Sequence, residues 1–135
     1  LGQRAMKKIR AKHPQADVSV MGLDLASLSS ITQFADDYRA SQRPLHMLIN
    51  NAGVMACPKS LTKDGHEMQF GVNHLGHFAL TMRLLDVMQS FSTPTEPARI
   101  VNVSSDANFL WAPKEGICFD DLNGDRYYDG WERYA

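Results

Sequence analysis

The chain has 135 residues, which is the length of a single compact domain. Hydrophobic residues make up 44% of it and charged residues 21%, and the formal net charge of −1 gives no electrostatic basis for binding nucleic acid or an anionic membrane surface. We expect no membrane-spanning helix, because no run of about 18 or more residues is apolar, and the two cysteines favour a reducing, intracellular compartment over a disulfide framework.

The first part of the chain alternates between helical and extended patterns. Residues 2–12 carry apolar side chains at helical spacing, and Pro14 ends this predicted helix. A short strand is expected over residues 18–25, with Asp24 at its exit. An amphipathic helix follows from Ser27 and ends before the next proline.

The stretch at residues 45–53, LHMLINNAG, lies at the centre of this pattern. Its apolar run is too short for an independent helix, so we predict a strand buried on both faces, as in a parallel sheet. Asn50 and Asn51 fall where that strand ends. Ligands of open α/β sheets bind at this carboxyl edge.

The second half continues the alternation. A long helical pattern covers residues 66–91, and RIVNVSS at 99–105 predicts a third strand. Residues 106–135 are expected to form an aromatic-rich loop or short helix. Strands that alternate with helices predict βαβ units, a parallel sheet and an α/β fold.

Polar side chains from three predicted strand ends converge on one sheet edge. These are Asp24, the pair Asn50 and Asn51, and the serines at 104 and 105. One asparagine would be explained by turn hydrogen bonding, but a carboxylate, amides and hydroxyls together favour a ligand site. By spacing alone, Asn73 is better interpreted as a packing asparagine, and Tyr134 as an ordinary aromatic.

The same residues, in this order, resemble the marks of the short-chain dehydrogenase/reductase superfamily: Asp24–Leu25, NNAG at 50–53, Asn73 within NHLGHF, and VNVSS at 101–105. GHEMQFGVNHLGHFALT followed by RIVNVSS is especially similar to the retinol-dehydrogenase-like and WW-domain-oxidoreductase-like branch. The resemblance implies a Rossmann-type doubly wound parallel sheet with helices on both faces. It also implies an NAD(P)-dependent oxidoreductase that interconverts an alcohol and a ketone or aldehyde, with NADP favoured over NAD and a lipophilic substrate such as a retinoid or steroid.

The resemblance assigns cofactor contacts to five residues. Asp24 and Leu25 would lie beside the adenine. Asn51, Ala52 and Gly53 would pass close to the adenosine ribose and phosphates, where glycine lets the backbone approach the ligand.

Three further residues would act in catalysis. Asn73 would kink its helix and hold a water in a proton relay, and Ser105 would hydrogen-bond the substrate oxygen. Tyr134 would be the general acid/base of a Tyr-x-x-x-Lys pair. Tyr127 and Tyr128 are neighbouring alternatives, and WERYA favours Tyr134 because it resembles the run into the family's Tyr-x-x-Ser-Lys segment.

Two parts of the family pattern have no counterpart in these residues. The glycine-rich turn for the pyrophosphate would fall upstream of Leu1, and the lysine would fall beyond Ala135. We therefore expect residues 1–135 to be the central part of a single dinucleotide-binding oxidoreductase domain, incomplete at both ends and inactive by itself. The resemblance further implies a homodimer through the 66–91 helix.

Two alternatives stay open at this point. One is a catalytically inactive Rossmann-type interaction or scaffold domain. The other is a calcium loop, whose template is matched at positions 1, 3, 5, 9 and 12 by Asp121, Asn123, Asp125, Asp129 and Glu132. Arg126 stands where that loop needs glycine, so a solvated acidic loop is favoured and no metal site is expected.

Overall fold

The computed structural model describes all residues, 1–135. It contains six α-helices and two strands: α1 (Gly2–Lys12), α2 (Leu28–Ala40), β1 (Met47–Asn50), α3 (Met68–Phe70), α4 (His77–Ser90), β2 (Arg99–Asn102), α5 (Ala107–Leu110) and α6 (Gly130–Tyr134). A π-helical segment, Gly71–Gly76, joins α3 to α4, so the predicted long helix is present over 68–90. No helix combines the length and apolar character needed to cross a bilayer.

The two strands pair in parallel. Met47 lies opposite Arg99, and Asn50 lies opposite Asn102. The connection between them contains the long helix, as a βαβ crossover requires. The predicted parallel pairing of the LHMLINNAG and RIVNVSS segments is therefore confirmed.

The core lies between α2 and α4. Ile31 and Ala35 on α2 meet Leu80 and Leu84 on α4, and all four are at most 4% exposed. Ser27 caps the N-terminus of α2, because its Oγ accepts a hydrogen bond from the Ser30 amide at 3.3 Å. The helix therefore starts at the predicted position, and its apolar side packs against α4 as its amphipathic pattern predicts.

The predicted strand at 18–25 does not form. None of the backbone-to-backbone hydrogen bonds involves residues 18–23, so this segment has no ladder with a neighbouring strand. The Val18 carbonyl instead accepts from the Arg10 guanidinium at 2.6 Å. An apolar pattern makes a strand only where a partner supplies the backbone hydrogen bonds, and the prediction was wrong for that reason.

One face of the sheet is open. Leu48 packs against the α2–α4 core, whereas Met47 and Ile49 on the opposite face are 48% and 56% exposed. Val101 on β2 is 41% exposed on that same face. Alternate strand residues point to opposite faces, so the prediction that β1 is buried on both faces holds on one face only.

We expect Leu84→Ala to lower the free energy of unfolding by about 2–5 kcal/mol. The Leu84 side chain is 1% exposed between α2 and α4, so its truncation leaves a cavity. Urea denaturation of the whole protein measures the change. Gln89→Ala, at an exposed position of the same helix, should change the free energy by less than about 0.5 kcal/mol. Equal losses for the two variants would contradict this core assignment.

Candidate functional site

The carboxyl end of β1 is tied to its neighbours by Asn50. This residue is 4% exposed. Its Nδ2 donates to Thr81 Oγ1 on α4 at 3.0 Å and to Asn102 Oδ1 at the end of β2 at 2.8 Å. Asn50 therefore has a structural place inside the strand pair, and the exposed residues Asn51, Ala52 and Gly53 leave the sheet just beyond it.

Asn73 holds the loop that follows. Its Oδ1 accepts from the Val54 amide at 2.9 Å, and its Nδ2 donates to the Val54 carbonyl at 2.8 Å. A β-carbon added at Gly53 would lie 3.2 Å from Asn73 Oδ1, so glycine permits this approach. Asn73 lies within the π-helical segment, a distortion frequent at functional sites. The helix thus departs from α geometry at the predicted position, while the water-holding role stays a prediction.

Six of the eight predicted site residues line one cleft of about 490 Å³. It lies at the carboxyl ends of the strands, between the loop after β1, the π-helical segment, the segment after β2 and the end of α6. The six are Asn51, Ala52, Gly53, Asn73, Ser105 and Tyr134. The structure thus brings together the residues that the resemblance assigned to catalysis and to the ribose and phosphates.

Ser105 and Tyr134 reach the cleft from different elements. Ser105 Oγ accepts from the Ala107 amide at 3.2 Å at the start of α5, which leaves its O–H free to donate. Tyr134 is the last residue of α6. Asp129 caps this helix, since its Oδ1 accepts from the Trp131 and Glu132 amides at 2.9 and 3.0 Å.

Asp24 and Leu25 do not line the cleft. The Asp24 carboxylate accepts hydrogen bonds from Lys63 Nζ and from the Ala26 amide, both at 3.0 Å. Both bonds lower the pKa of Asp24, and the bond from Lys63 has the larger effect. Leu25 lies against the π-helical segment, where a β-carbon at Gly76 would be 2.6 Å from the Leu25 carbonyl oxygen. Contact with an adenine stays a prediction for both residues.

Two histidines in the cleft were not recognised as site residues from the sequence. His74 and His77 both line it, and His77 Nδ1 lies 2.9 Å from the Asn73 carbonyl oxygen. A carbonyl can only accept, so Nδ1 carries the hydrogen of this bond. Their spacing from Asn73, one and four residues further along the helix, is the sequence feature that could have placed them in the same site.

The acidic segment is organised around Asp121. Its carboxylate pairs with Arg133 on α6 at 2.9 Å, with both side chains at most 15% exposed. The other oxygen of the same carboxylate accepts from the Asp125 amide at 2.8 Å. No three His, Cys, Asp or Glu side chains lie close enough together to hold a metal ion. The Asp121 carboxylate thus anchors α6 through an ion pair.

The chain is similar to known proteins over most of its length. The family model for short chain dehydrogenase matches residues 1–115. Retinol dehydrogenase 12 of Mus musculus is 46% identical over 127 residues, which cover 94% of this chain and 38% of that protein. Polyprenol dehydrogenase of Danio rerio is 43% identical over 134 residues, covering 99% of this chain and 40% of that protein. The chain spans about two fifths of the length of these curated relatives.

Solved structures share the fold. An uncharacterized protein from Mycobacterium paratuberculosis is 40% identical with a TM-score of 0.73, covering 96% of this chain and 43% of that one. The Pseudomonas aeruginosa RhlG/NADP active-site complex has a TM-score of 0.66 at 19% identity, and the match covers 98% of this chain and 47% of that one. The predicted Rossmann-type α/β class is confirmed. The chain therefore belongs to the short-chain dehydrogenase/reductase family, in its retinol-dehydrogenase-like branch.

Proposed function

We propose that the whole protein is a nicotinamide-dependent oxidoreductase that interconverts a lipophilic alcohol and the corresponding ketone or aldehyde. The observation that carries this proposal is the cleft that Ser105 and Tyr134 line together with the loop after β1. The names of the relatives, retinol dehydrogenase and polyprenol dehydrogenase, support a lipophilic alcohol such as a retinoid as the substrate.

The cleft wall fits a nucleotide cofactor. Asn51, Ala52 and Gly53 are exposed, and the small side chains at 52 and 53 leave their backbone accessible. These residues would hold the ribose and phosphate part, and NADP is favoured over NAD by the branch resemblance. The bound nicotinamide would supply or accept the hydride.

The chain's own residues would handle the substrate oxygen. Ser105 would donate its free O–H to that oxygen and stabilise the charge that develops there, an effect worth about 2.7–4 kcal/mol for a well-placed donor. Tyr134 would give a proton to the same oxygen or take one from it. Free tyrosine has a pKa of about 10, so a nearby cation would be needed to favour the phenolate.

Tyr134 is better placed for this role than its neighbours. The Tyr128 hydroxyl donates to the Cys57 carbonyl at 2.9 Å and lies 3.2 Å from Glu67 Oε1. Burial of the phenol, opposed in part by a hydrogen bond from Gln69, raises the pKa of Tyr128 to about 12. Tyr127 is 60% exposed and lines a separate, mainly apolar pocket. Among the three tyrosines, only Tyr134 lines the cleft.

A homodimer through the 66–91 helix is also part of the proposal. Phe78 and Met82, one turn apart on α4, are 59% and 53% exposed. Met88, further along the same helix, is 3% exposed and belongs to the interior. The helix thus has a buried stripe and a separate exposed apolar stripe that a second copy of the chain could cover.

Tyr134→Phe should lower kcat by about 10²–10⁴-fold, because it removes the proposed acid/base. NADPH oxidation by the whole protein with a panel of lipophilic aldehydes measures the loss, and NADH in parallel tests the cofactor preference. Tyr127→Phe makes the same change outside the cleft and should leave kcat near the wild-type value. Near-wild-type turnover of Tyr134→Phe would remove Tyr134 from this role.

Phenolate absorbance should show one tyrosine titrating near the pKa of about 12 that burial gives Tyr128. The unfolded pKa is about 10, so the stability contributed by the buried phenol is fully present below about pH 10 and is lost as the pH rises through about 12. Tyr128→Phe should remove the late component, and Tyr127→Phe should keep it. Survival of the late component in Tyr128→Phe would refute its assignment.

Met82→Glu should shift the whole protein from dimer to monomer, because it places a charge in the proposed interface. Sedimentation velocity measures the shift, and Gln89→Glu at an exposed position of the same helix is the matched control. A monomeric wild type, or a variant that stays dimeric, would overturn the dimer proposal.

A further inference from the structure

A buried polar cluster lies beside the cleft, outside the residues proposed for catalysis. It consists of Glu67, Gln69 and Tyr128, and the first two are each only 1% exposed. Buried polar groups destabilise a protein unless each finds a hydrogen-bond partner. The contacts of this cluster therefore reveal what it holds together.

Gln69 bridges two segments that are far apart in the sequence. Its Oε1 accepts from the Ala56 amide at 2.7 Å, in the loop that continues from Gly53 and Val54. Its Nε2 donates to the Gly130 carbonyl at 2.9 Å, at the first residue of α6. One carboxamide thus joins the loop after β1 to the helix that carries Tyr134.

The two bridged segments are in direct contact. A β-carbon added at Gly130 would lie 3.1 Å from the Cys57 carbonyl oxygen and 3.2 Å from Ala56 backbone atoms. Ala56 has a φ of 47°, a left-handed conformation that an alanine holds only when its surroundings impose it. The hydrogen bond from the Ala56 amide to Gln69 is such a constraint.

Glu67 fixes the position of Gln69. Its Oε1 accepts from the Gln69 amide at 3.0 Å and its Oε2 from the Phe70 amide at 2.7 Å. The Tyr128 hydroxyl, 3.2 Å from Glu67 Oε1, also accepts from Gln69 Nε2 at 3.2 Å. The carboxylate thus fixes the backbone at Gln69, and the phenol contacts the carboxamide itself.

We propose that Gln69 is a positioning residue for Tyr134. Helix α6 has five residues, and Tyr134 lies four residues after Gly130, about 6 Å along the helix axis. Arg133 anchors the C-terminal end of α6 through Asp121. Gln69 fixes the N-terminal end of α6 and, with it, the orientation of Tyr134 relative to Ser105. The catalytic consequence rests on the proposed function.

The first test is Gln69→Met in the whole protein. The thioether has a similar length but makes neither bridge, and misplacement of a catalytic group by about 1 Å can reduce the rate about 10²-fold. We expect kcat to fall about 10- to 100-fold while the KM for NADPH stays within about twofold. Hydrogen exchange of residues 130–135 should accelerate. Gln33→Met is the matched control, because Gln33 makes its hydrogen bond to Asp37 on the exposed face of α2.

A second variant tests the bridge even if Gln69→Met fails to fold. In Gln69→Glu, the protonated carboxyl can accept from the Ala56 amide and donate to the Gly130 carbonyl, whereas the ionised form cannot donate. Burial raises a carboxyl pKa, and Glu67, Tyr128 and Cys57 are the titratable groups around this position. The ratio of variant to wild-type kcat should rise as the pH falls from about 8 to about 6.

The outcomes separate this proposal from the proposed function. Wild-type kcat and unchanged exchange in Gln69→Met, or a flat ratio in Gln69→Glu, would overturn the positioning role. A wild-type protein without turnover on any aldehyde would overturn the proposed function alone. In that case hydrogen exchange in Gln69→Met tests whether Gln69 holds α6. Selectively faster exchange at residues 130–135 would support this role, and unchanged exchange would refute it.

Discussion

The cleft depends on the pair of hydrogen bonds between the Asn73 carboxamide and the Val54 backbone. Where the chain leaves β1 it loses its ladder partners, and the next backbone amide and carbonyl to be satisfied are those of Val54. One carboxamide supplies both an acceptor and a donor, which neither a carboxylate nor a hydroxyl of similar reach would do with the same geometry. The π-helical segment brings Asn73 to the loop, and the missing side chain of Gly53 allows the approach.

Three polar contacts hold the opposite wall of the cleft. Helix α6 is too short to be stable alone, yet it carries the tyrosine that the proposed chemistry needs. The Asp129 cap, the Asp121–Arg133 ion pair and the Gln69 bridge each fix a different part of it. Directional hydrogen bonds specify orientation more narrowly than apolar packing does, which suits a helix that carries the proposed acid/base.

The two segments that depart from the predicted structure do so for one physical reason. The apolar run at 18–25 has the composition of a strand but no neighbour with which to pair, and Ile49 has the side chain of a buried strand residue but nothing packed over it. The periodicity of a segment indicates which side chains it could bury, but those side chains are buried only where another element packs against them. Asn50 illustrates the converse, since the first asparagine of NNAG serves the strand pair while the next three residues line the cleft.

The amino-acid sequence by itself determined the alternation of helices and strands, the α2–α4 core stripe and the motif residues of the family, because local periodicity and short-range spacing encode them. The tertiary structure placed Tyr134, the tyrosine that WERYA favoured, in the cleft and left Tyr127 and Tyr128 outside it, and it alone decided that Gln69 and Glu67 lie buried beneath the loop after β1. These facts depend on contacts between residues more than 50 positions apart in the chain, such as Gln69 with Gly130 and Glu67 with Tyr128. No local pattern records such contacts, because they exist only once the chain has folded.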